Sequence, residues 1–253
     1  MGFTFNGISS KHMGIDTRMS VENRIPDIRN NTDAIAGRNG VVDFGQTIGE
    51  RRIEISCLIP PGQTVHGLLS LKDRLVAWLN PENGLCELKL DTEPGRKYYA
   101  RIEDGISFER LVRTSNVFNL IFFCPDPYAY ADSDEKFILT GSGNIKREQG
   151  NVRSHPVYEL KGELGSKTDT IVFSVNGESV TICGPLKKSQ TLVIDSDNMT
   201  AKLVSSDGSE NNALGQMKEL VFPYLEVGEN TITLGSDGGD ITSLTINAKS
   251  RWL

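Results

Sequence analysis

Alternating apolar and polar residues dominate this chain and predict a mainly β protein. In residues 51–59, Ile53 and Ile55 fall on one side and Glu54 and Ser56 on the other, the period-two pattern of a half-buried strand. Further strands are predicted in the first half at 15–25, 85–90, 97–102, 108–112 and 117–123.

One segment of the first half follows a helical period instead. Leucines recur every three or four positions through residues 65–80, which places them on one face of a helix. Thr64 is suited to the N-cap, and Asn80 followed by Pro81 is suited to the end of the helix. We expect this to be the one α-helix of the first half.

The second half reads as strands separated by turns. TIVFSV and ESVTI are joined by Asn176-Gly177, a pair that favours a type I′ hairpin turn. More strands are predicted at 191–195, 201–205, 230–234 and 241–248. Turn residues about every 8–12 positions are typical of a β-sandwich or jelly roll.

Residues 26–45 are polar, carry several glycines and have few apolar side chains. Asn30-Asn31 and Asn39-Gly40 favour turns. The glycine-rich stretch 37–40 could in principle bind an anion, but a turn is the favoured interpretation. We predict a projecting hairpin arm, with a disordered loop as the alternative. Its apolar anchors would be Ile28, Ile35, Val41 and Val42, with Arg38 at the turn.

The stretch 119–130, NLIFFCPDPYAY, marks the division between the halves. Its strand-like run stops at Cys124, and Pro125 and Pro127 cannot donate to a sheet ladder. The polar stretch 131–150 that follows is predicted to link two domains. We place them at 1–135 and 136–253, each long enough for its own core.

The charge balance argues against a duplex-DNA-binding protein. Residues 1–135 contain 15 basic and 19 acidic side chains, and the remainder contains 12 and 14, for a net charge of −6. DNA-binding proteins rely on clustered Lys and Arg. No apolar run approaches the roughly 20 residues of a membrane span, and no signal segment is evident, so we expect synthesis in a cytoplasm and no membrane insertion.

The histidines and the catalytic motifs give no indication of enzymatic chemistry. His12, His66 and His155 lie far apart, and no Cys, His or carboxylate accompanies them at metal-ligand spacing. No GxSxG, HExxH or P-loop sequence occurs. Glu103-Asp104 precedes a glycine and favours a turn over an acid/base pair.

Neither the acidic loops nor the cysteines predict a metal site. The loops 195–198 and 237–240 resemble fragments of calcium loops but lack the remaining ligands. No CxxC pair is present, and cysteine is a common core residue. A Cys57–Cys86 disulfide is the alternative, which the inferred compartment disfavours. The cysteines are Cys57, Cys86, Cys124 and Cys183. We therefore predict no catalytic, cofactor-binding or metal-binding residues.

Taken in order, ten motifs resemble the distal tail protein family of long, non-contractile-tailed bacteriophages. They are FNGISS, AGRNG, ERRIEISCLI, AWLN, PGRKYYARI, FFCPDPYAY, HPVYELKG, TLVIDSDN, FPYLEVGENTITL and ITSLTINAKSRWL. The resemblance covers most of the chain and is weakest over 199–221.

The resemblance implies a virion structural protein and not an enzyme. In that family an N-terminal β domain with one helix forms a hexameric ring, and a galectin-like C-terminal sandwich decorates it. Such rings lie at the tail tip, between the tail tube protein and a tail-associated fibre or lysin protein, and leave a channel for DNA. Paired rings are a further possibility that the resemblance leaves open.

Two other classes compete with a tail hub. A carbohydrate-binding module or adhesin would use the C-terminal sandwich, but sugar platforms need exposed aromatic residues beside polar ones. The second half offers only Trp252, Tyr158 and Tyr224, and it lacks the residue constellation of sugar-binding galectins. A hydrolase has the least support, because no activated nucleophile or acid pair is evident.

Overall fold

A computed structural model describes residues 2–23, 26–60, 65–104 and 117–253, without the side chains of 18–23 and 65. The chain divides into two compact units, Met1–Ala129 together with Leu253, and Tyr130–Trp252. Thr64 and the strand predicted at 108–112 lie outside the described residues.

The first unit is built from strands and one long helix. Its described elements are β1 (Phe3–Phe5), β2 (Ile8–Ser9), β3 (Asp16–Asn23), β4 (Ile28–Asp33), β5 (Val42–Ile48), β6 (Arg51–Leu58), α1 (Val65–Trp78), β7 (Cys86–Leu90), β8 (Arg96–Ile102) and β9 (Val117–Cys124).

Seven of these strands form one antiparallel sheet in the order β2-β1-β7-β8-β9-β6-β3. Ile53 and Ile55 are fully buried, as the alternating pattern predicted, and β6 pairs with β9 along its whole length. The strands predicted at 85–90 and 97–102 are also present, and they pair with each other as β7 and β8. The fold is therefore mainly β, as expected.

Helix α1 packs on this sheet through its C-terminal end. The Trp78 ring stacks on Phe3 with 5.6 Å between centroids, and its Nε1–H donates to the Phe5 carbonyl at 2.9 Å. The helix ends two residues before the predicted Asn80. The Asn80 side chain instead accepts from the Glu82 backbone N–H at the start of the short 3₁₀ turn Pro81–Asn83.

The second unit contains strands throughout. They are β10 (Ala129–Ala131), which begins in the first unit, β11 (Lys136–Leu139), β12 (Gly143–Arg147), β13 (Val157–Leu164), β14 (Thr170–Val175), β15 (Glu178–Cys183), β16 (Gln190–Asp195), β17 (Thr200–Ser205), β18 (Glu210–Asn212), β19 (Gly228–Asp237), β20 (Gly239–Asn247) and β21 (Arg251–Trp252).

Two sheets of the second unit form a sandwich. One has the order β11-β20-β13-β16-β17-β18 and the other β12-β19-β14-β15. Their inward side chains share one apolar core, in which the Tyr158 and Phe173 rings lie 5.1 Å apart. Asn176 and Gly177 adopt positive φ in the β14–β15 hairpin, as a type I′ turn requires. A galectin-like assignment of this sandwich stays a prediction.

The expectation that 131–150 is a linker is wrong. Strand β11 pairs with β20, and β12 pairs with β19, so the stretch contributes one strand to each sheet of the sandwich. Phe137, Leu139 and Ile145 pack against its core. Both strands are short, and β12 has Ile145 as its one large apolar residue, so the polar residues around them conceal the strand pattern in the sequence. Along the chain, the division between the compact units falls between Ala129 and Tyr130.

Candidate assembly interface

Strands β4 and β5 form a two-stranded sheet of their own, as the predicted arm requires. Their pairing runs from Ile28 opposite Ile48 to Asp33 opposite Val42, with a bulge between Asn30 and Thr32. We call residues 28–48 the arm, which is three residues longer at its C-terminal end than the sequence indicated. A two-stranded sheet alone is at best marginally stable in water, so the arm is suited to packing against another surface.

Both faces of the arm expose apolar side chains. Ile28 and Ile48 lie directly opposite each other on one face, and the alternation of the strands places Val42 and Phe44 on the other. Five large apolar residues of the arm are exposed: Ile28 by 56%, Ile35 by 50%, Val41 by 57%, Phe44 by 69% and Ile48 by 44%. Three of the four predicted anchors are therefore exposed, and Val42 is half-buried.

Phe44 and Ile48 were not among the predicted anchors. In the sequence, the alternation Val42, Phe44, Gln46, Ile48 runs past residue 45, where the predicted arm ends. In the structure the bulge interrupts this alternation and leaves apolar side chains on both faces, and exposed apolar side chains on a hairpin are typical of a contact surface.

An ion-pair network holds the base of the arm. Arg52 contacts Glu103 at 2.9 Å, Asp27 at 3.3 Å and Glu50 at 3.4 Å, and Arg29 contacts Glu50 at 2.6 Å. A backbone hydrogen bond first, and Arg29 second, lower the pKa of Glu50, while the hydrogen bond to Glu103 raises the pKa of Arg52. The pairs are exposed, so they orient the arm more than they stabilise the fold.

The tip of the arm is a turn. Gly37 and Gly40 both have positive φ, which explains glycine at these positions. Arg38 lies exposed between them. The turn is followed by strand β5 and not by a helix. It therefore lacks the helix N-terminus that an anion site of the kind considered for residues 37–40 would use.

A second open surface lies in the first unit, between α1 and the ends of β8 and β9. It is a groove of about 520 Å³. Its lining consists of Lys72, Leu75, Val76, Leu79, Pro81, Arg101, Ile102, Glu103, Asp104 and Phe123. The guanidinium of Arg101 lies over the Phe123 ring at 5.2 Å. Six of the ten lining residues are apolar and four are charged, a mixture that suits a contact with another protein.

The histidines are not brought together. His12 and His66 are exposed on the first unit, and His155 lies in the second unit with its Nδ1 3.5 Å from Asp197 Oδ1. Burial is the main cause that lowers the pKa of His155. Within the described ranges no group of three or more His, Cys, Asp or Glu side chains is arranged to hold a metal ion.

The acidic loops are turns of the sandwich. The Asp195 carboxylate accepts the backbone N–H groups of Asp197 and Asn198, and residues 237–240 connect β19 to β20. Tyr158, considered above as a possible sugar platform, is buried, and its hydroxyl donates to the Pro223 carbonyl. Tyr224 is half-buried beneath the Arg153 guanidinium, 5.1 Å from its ring.

The cysteines are free thiols. Burial raises the pKa of both Cys57 and Cys124 to about 12, whereas Cys86 and Cys183 are half-buried. The side chains of Cys57 and Cys124 are fully buried, as the predicted core role requires.

These thiols give a pH-dependent prediction. Because a raised pKa keeps a thiol protonated below that pKa, Cys57 and Cys124 should not react with a disulfide reagent at about pH 8. The folded protein should release at most two equivalents of chromophore, and the protein in concentrated guanidinium should release four. Fast release of four equivalents from the folded protein would contradict this placement.

None of the described helices is both long and apolar enough to cross a membrane.

Comparison with known proteins shows that the first unit is similar to a phage tail domain. Residues 9–124 match the family model for the phage tail protein RIFT-related domain. That range starts at β2 and ends at the last residue of β9, so it takes in the arm, α1 and the groove. No curated protein sequence is significantly similar to the chain.

Among solved structures, the crystal structure of the SPP1 Dit (gp 19.1) protein matches the whole chain. That protein is described as a paradigm of the hub adsorption apparatus in phages that infect Gram-positive bacteria. The TM-score is 0.75 at 15% identity, over 100% of this chain and 99% of that one. Two structures of the phage P2 baseplate, in its activated conformation with Ca and with Sr, align at a TM-score of 0.46 with 12% and 11% identity, which is too distant to add to the fold assignment.

These matches confirm the resemblance to distal tail proteins and agree with the expectation that the chain is not an enzyme. Residues 9–124 are thus similar to the phage tail protein RIFT-related domain, and the whole chain has the fold of the SPP1 Dit protein.

Proposed function

We propose that the chain forms the hub at the distal end of a long, non-contractile phage tail. Six copies close into a ring through their first units. The ring joins the tail tube to the tail-tip apparatus that contacts the host, and its centre is the channel through which DNA leaves. The sandwich of each copy lies outside the ring contacts.

The observation that carries this proposal is the exposed arm, in a chain that has the Dit fold over its whole length. Ordering a chain segment costs roughly 1–2 kcal/mol per residue, and the arm buries little against its own unit. A neighbouring subunit would supply the missing contact area. A ring needs a surface on each copy that binds a different surface of the next copy, and it needs no catalytic pocket.

The charge of the chain is consistent with DNA in transit. A net charge of −6, distributed over both halves, would keep a polyanion from adhering to the inner wall of the ring. DNA is therefore a passing contact in this proposal, and the permanent partners are proteins of the tail.

Labelling of virions tests the proposed location. An epitope inserted in the exposed turn at Asp207-Gly208, between β17 and β18, leaves both units intact. Gold-conjugated antibody on the tagged phage should mark the end of the tail remote from the head. The same tag on the tail tube protein serves as the control and should mark the full length of the tail. Label distributed along the tail by the tagged chain would contradict a hub.

A further inference from the structure

We propose that Asn39, at the tip of the arm, is a site of spontaneous deamidation, which converts its side-chain amide into a carboxylate. The inference goes beyond the hub function and does not depend on it, because it concerns the chemistry of one exposed Asn-Gly pair. Four Asn-Gly pairs occur in the chain, and the structure restrains the other three.

The reaction uses the backbone of Gly40 as its nucleophile. The Gly40 nitrogen loses its proton to a base in the solvent and attacks the Cγ atom of Asn39, the carbonyl carbon of a chemically labile amide. A C–N bond forms, the bond from Cγ to the side-chain nitrogen breaks, and that nitrogen takes a proton and leaves as ammonia. Water then adds to one carbonyl carbon of the succinimide ring and breaks its bond to the Gly40 nitrogen, which leaves aspartate or isoaspartate.

The pair at the tip leaves both reacting groups open. Among the described residues, neither the Asn39 side chain nor the Gly40 backbone N–H has a hydrogen-bond partner, and both residues are exposed. Nothing lies within 4 Å of the position that a Cβ atom of Gly40 would take, so the backbone there is uncrowded. Residues 34–41 lie beyond the last pair of β4 and β5, Asp33 opposite Val42, so strand pairing does not restrain Asn39.

Two of the other Asn-Gly pairs are the central residues of two-residue hairpins. Asn6-Gly7 joins β1 to β2, and Asn176-Gly177 joins β14 to β15. Closing the succinimide ring requires rotation of the Asn backbone, which the paired strands on either side oppose. The Asn176 side chain is held in addition, because its amide donates to Asn230 Oδ1 at 2.8 Å and accepts the Thr231 N–H at 2.9 Å.

The fourth pair, Asn83-Gly84, has its nucleophile occupied. Gly84 donates its backbone N–H to the Pro81 carbonyl at 3.1 Å, at the end of the short 3₁₀ turn. The nitrogen must give up this hydrogen bond before it can attack Asn83, so the reaction requires local opening of the turn. Loss of one hydrogen bond corresponds to about a fivefold lower population of the reactive state.

The products change the surface at the tip of the arm. Deamidation places a carboxylate directly after the exposed Arg38, and each event adds one negative charge to a chain of net charge −6. Isoaspartate also inserts an additional carbon into the backbone of the turn. The arm therefore carries a slow, one-way change of charge and shape that proceeds with time after synthesis.

Peptide mapping of the ageing protein tests this assignment. The folded, full-length chain is incubated in mildly alkaline buffer, and samples taken over days are digested and analysed by liquid chromatography with mass spectrometry. The peptide that contains Asn39 should gain the mass difference between an amide and a carboxylate and should separate into aspartate and isoaspartate forms. The rate at Asn39 should exceed the rates at Asn6, Asn83 and Asn176 by about fivefold or more.

Two controls separate the effect of the structure from that of the sequence. In concentrated guanidinium the four pairs should react at similar rates, because neither strand pairing nor hydrogen bonds then restrain them. Asn39→Gln has a longer side chain that closes a ring far less readily. This variant should lose the modification at the tip and keep the rates at the other three pairs.

The folded protein decides the outcome. Deamidation at Asn39 that is no faster than at Asn6 or Asn176 would overturn the proposal, because the folded arm would then give its tip no special reactivity. An unmodified Asn39 in a folded sample whose denatured form reacts would overturn it as well. Both results leave the proposed hub function standing, since that function does not require the modification.

Discussion

A protein whose arm is replaced by a short Gly-Ser linker should stay folded but should have the mass of a single chain. The replacement removes residues 28–48, because β5 continues to Ile48. The arm forms a separate sheet, so its loss removes no strand from the large sheet of the first unit and no residue from the core of that unit. It does remove the exposed apolar side chains through which the copies are proposed to associate. Light scattering should show a sixfold fall in mass, and far-UV circular dichroism should keep its β signal.

Ile138→Ser provides the matched control for that result. Ile138 is as exposed as Phe44 but lies on the sandwich, so the change should leave the oligomer intact. Complete rings formed by the shortened protein would show that the arm is only a surface loop and that the ring contacts lie elsewhere.

Replacement of Trp78 by Ala should destabilise the first unit by about 3–5 kcal/mol. Trp78 is 5% exposed, and its ring contacts both Phe3 and Phe5, so the change leaves a large cavity between α1 and the sheet. It also leaves the Phe5 carbonyl without the indole N–H. The free energy of unfolding should be measured by urea titration in the arm-replaced background, because association would otherwise add to the apparent stability.

Two further substitutions separate the contribution of the hydrogen bond from that of packing and provide a surface control. Trp78→Phe keeps an aromatic ring but loses the hydrogen bond, and should cost about 1–2 kcal/mol. Leu69→Ala changes an exposed position on the same helix and should lie within about 0.5 kcal/mol of the parent protein. Equal effects of Trp78→Ala and Leu69→Ala would show that α1 does not depend on this contact.

The elements that could be predicted are those specified by local pattern. Strand β6 follows from the alternation around Ile53 and Ile55, and the β14–β15 hairpin follows from Asn176-Gly177 between two alternating runs. The arm also follows from local composition, because its polar residues and glycines cannot form a core. These features depend on neighbours in sequence, and each can be read within about ten residues.

The elements that were missed depend on distant partners. Strands β11 and β12 are only four and five residues long, and β12 has one large apolar residue, Ile145. Their pairing with β20 and β19 explains why these short segments are strands. The boundary between the units therefore could not be placed from the polar composition of 131–150. Long-range pairing of this kind leaves a weak local signal.

The groove could not be predicted for the same reason. Val76 comes from the helix, Arg101 from β8 and Phe123 from β9, and nothing in the sequence shows that they meet. The network at the base of the arm likewise joins Asp27 and Arg52 to Glu103, more than fifty positions further along. Sequence patterns indicated that the chain has an assembly role, and the structure adds the surfaces that could perform it.

The most direct test of a self-assembling hub is the mass and image of the purified, unmodified protein. Light scattering over a range of concentrations, with negative-stain images of the same sample, should give six times the 27.8 kDa of one chain and closed rings with a central opening. A protein that stays at 27.8 kDa up to the highest concentration, with no ring in the images, would contradict assembly through its own arms.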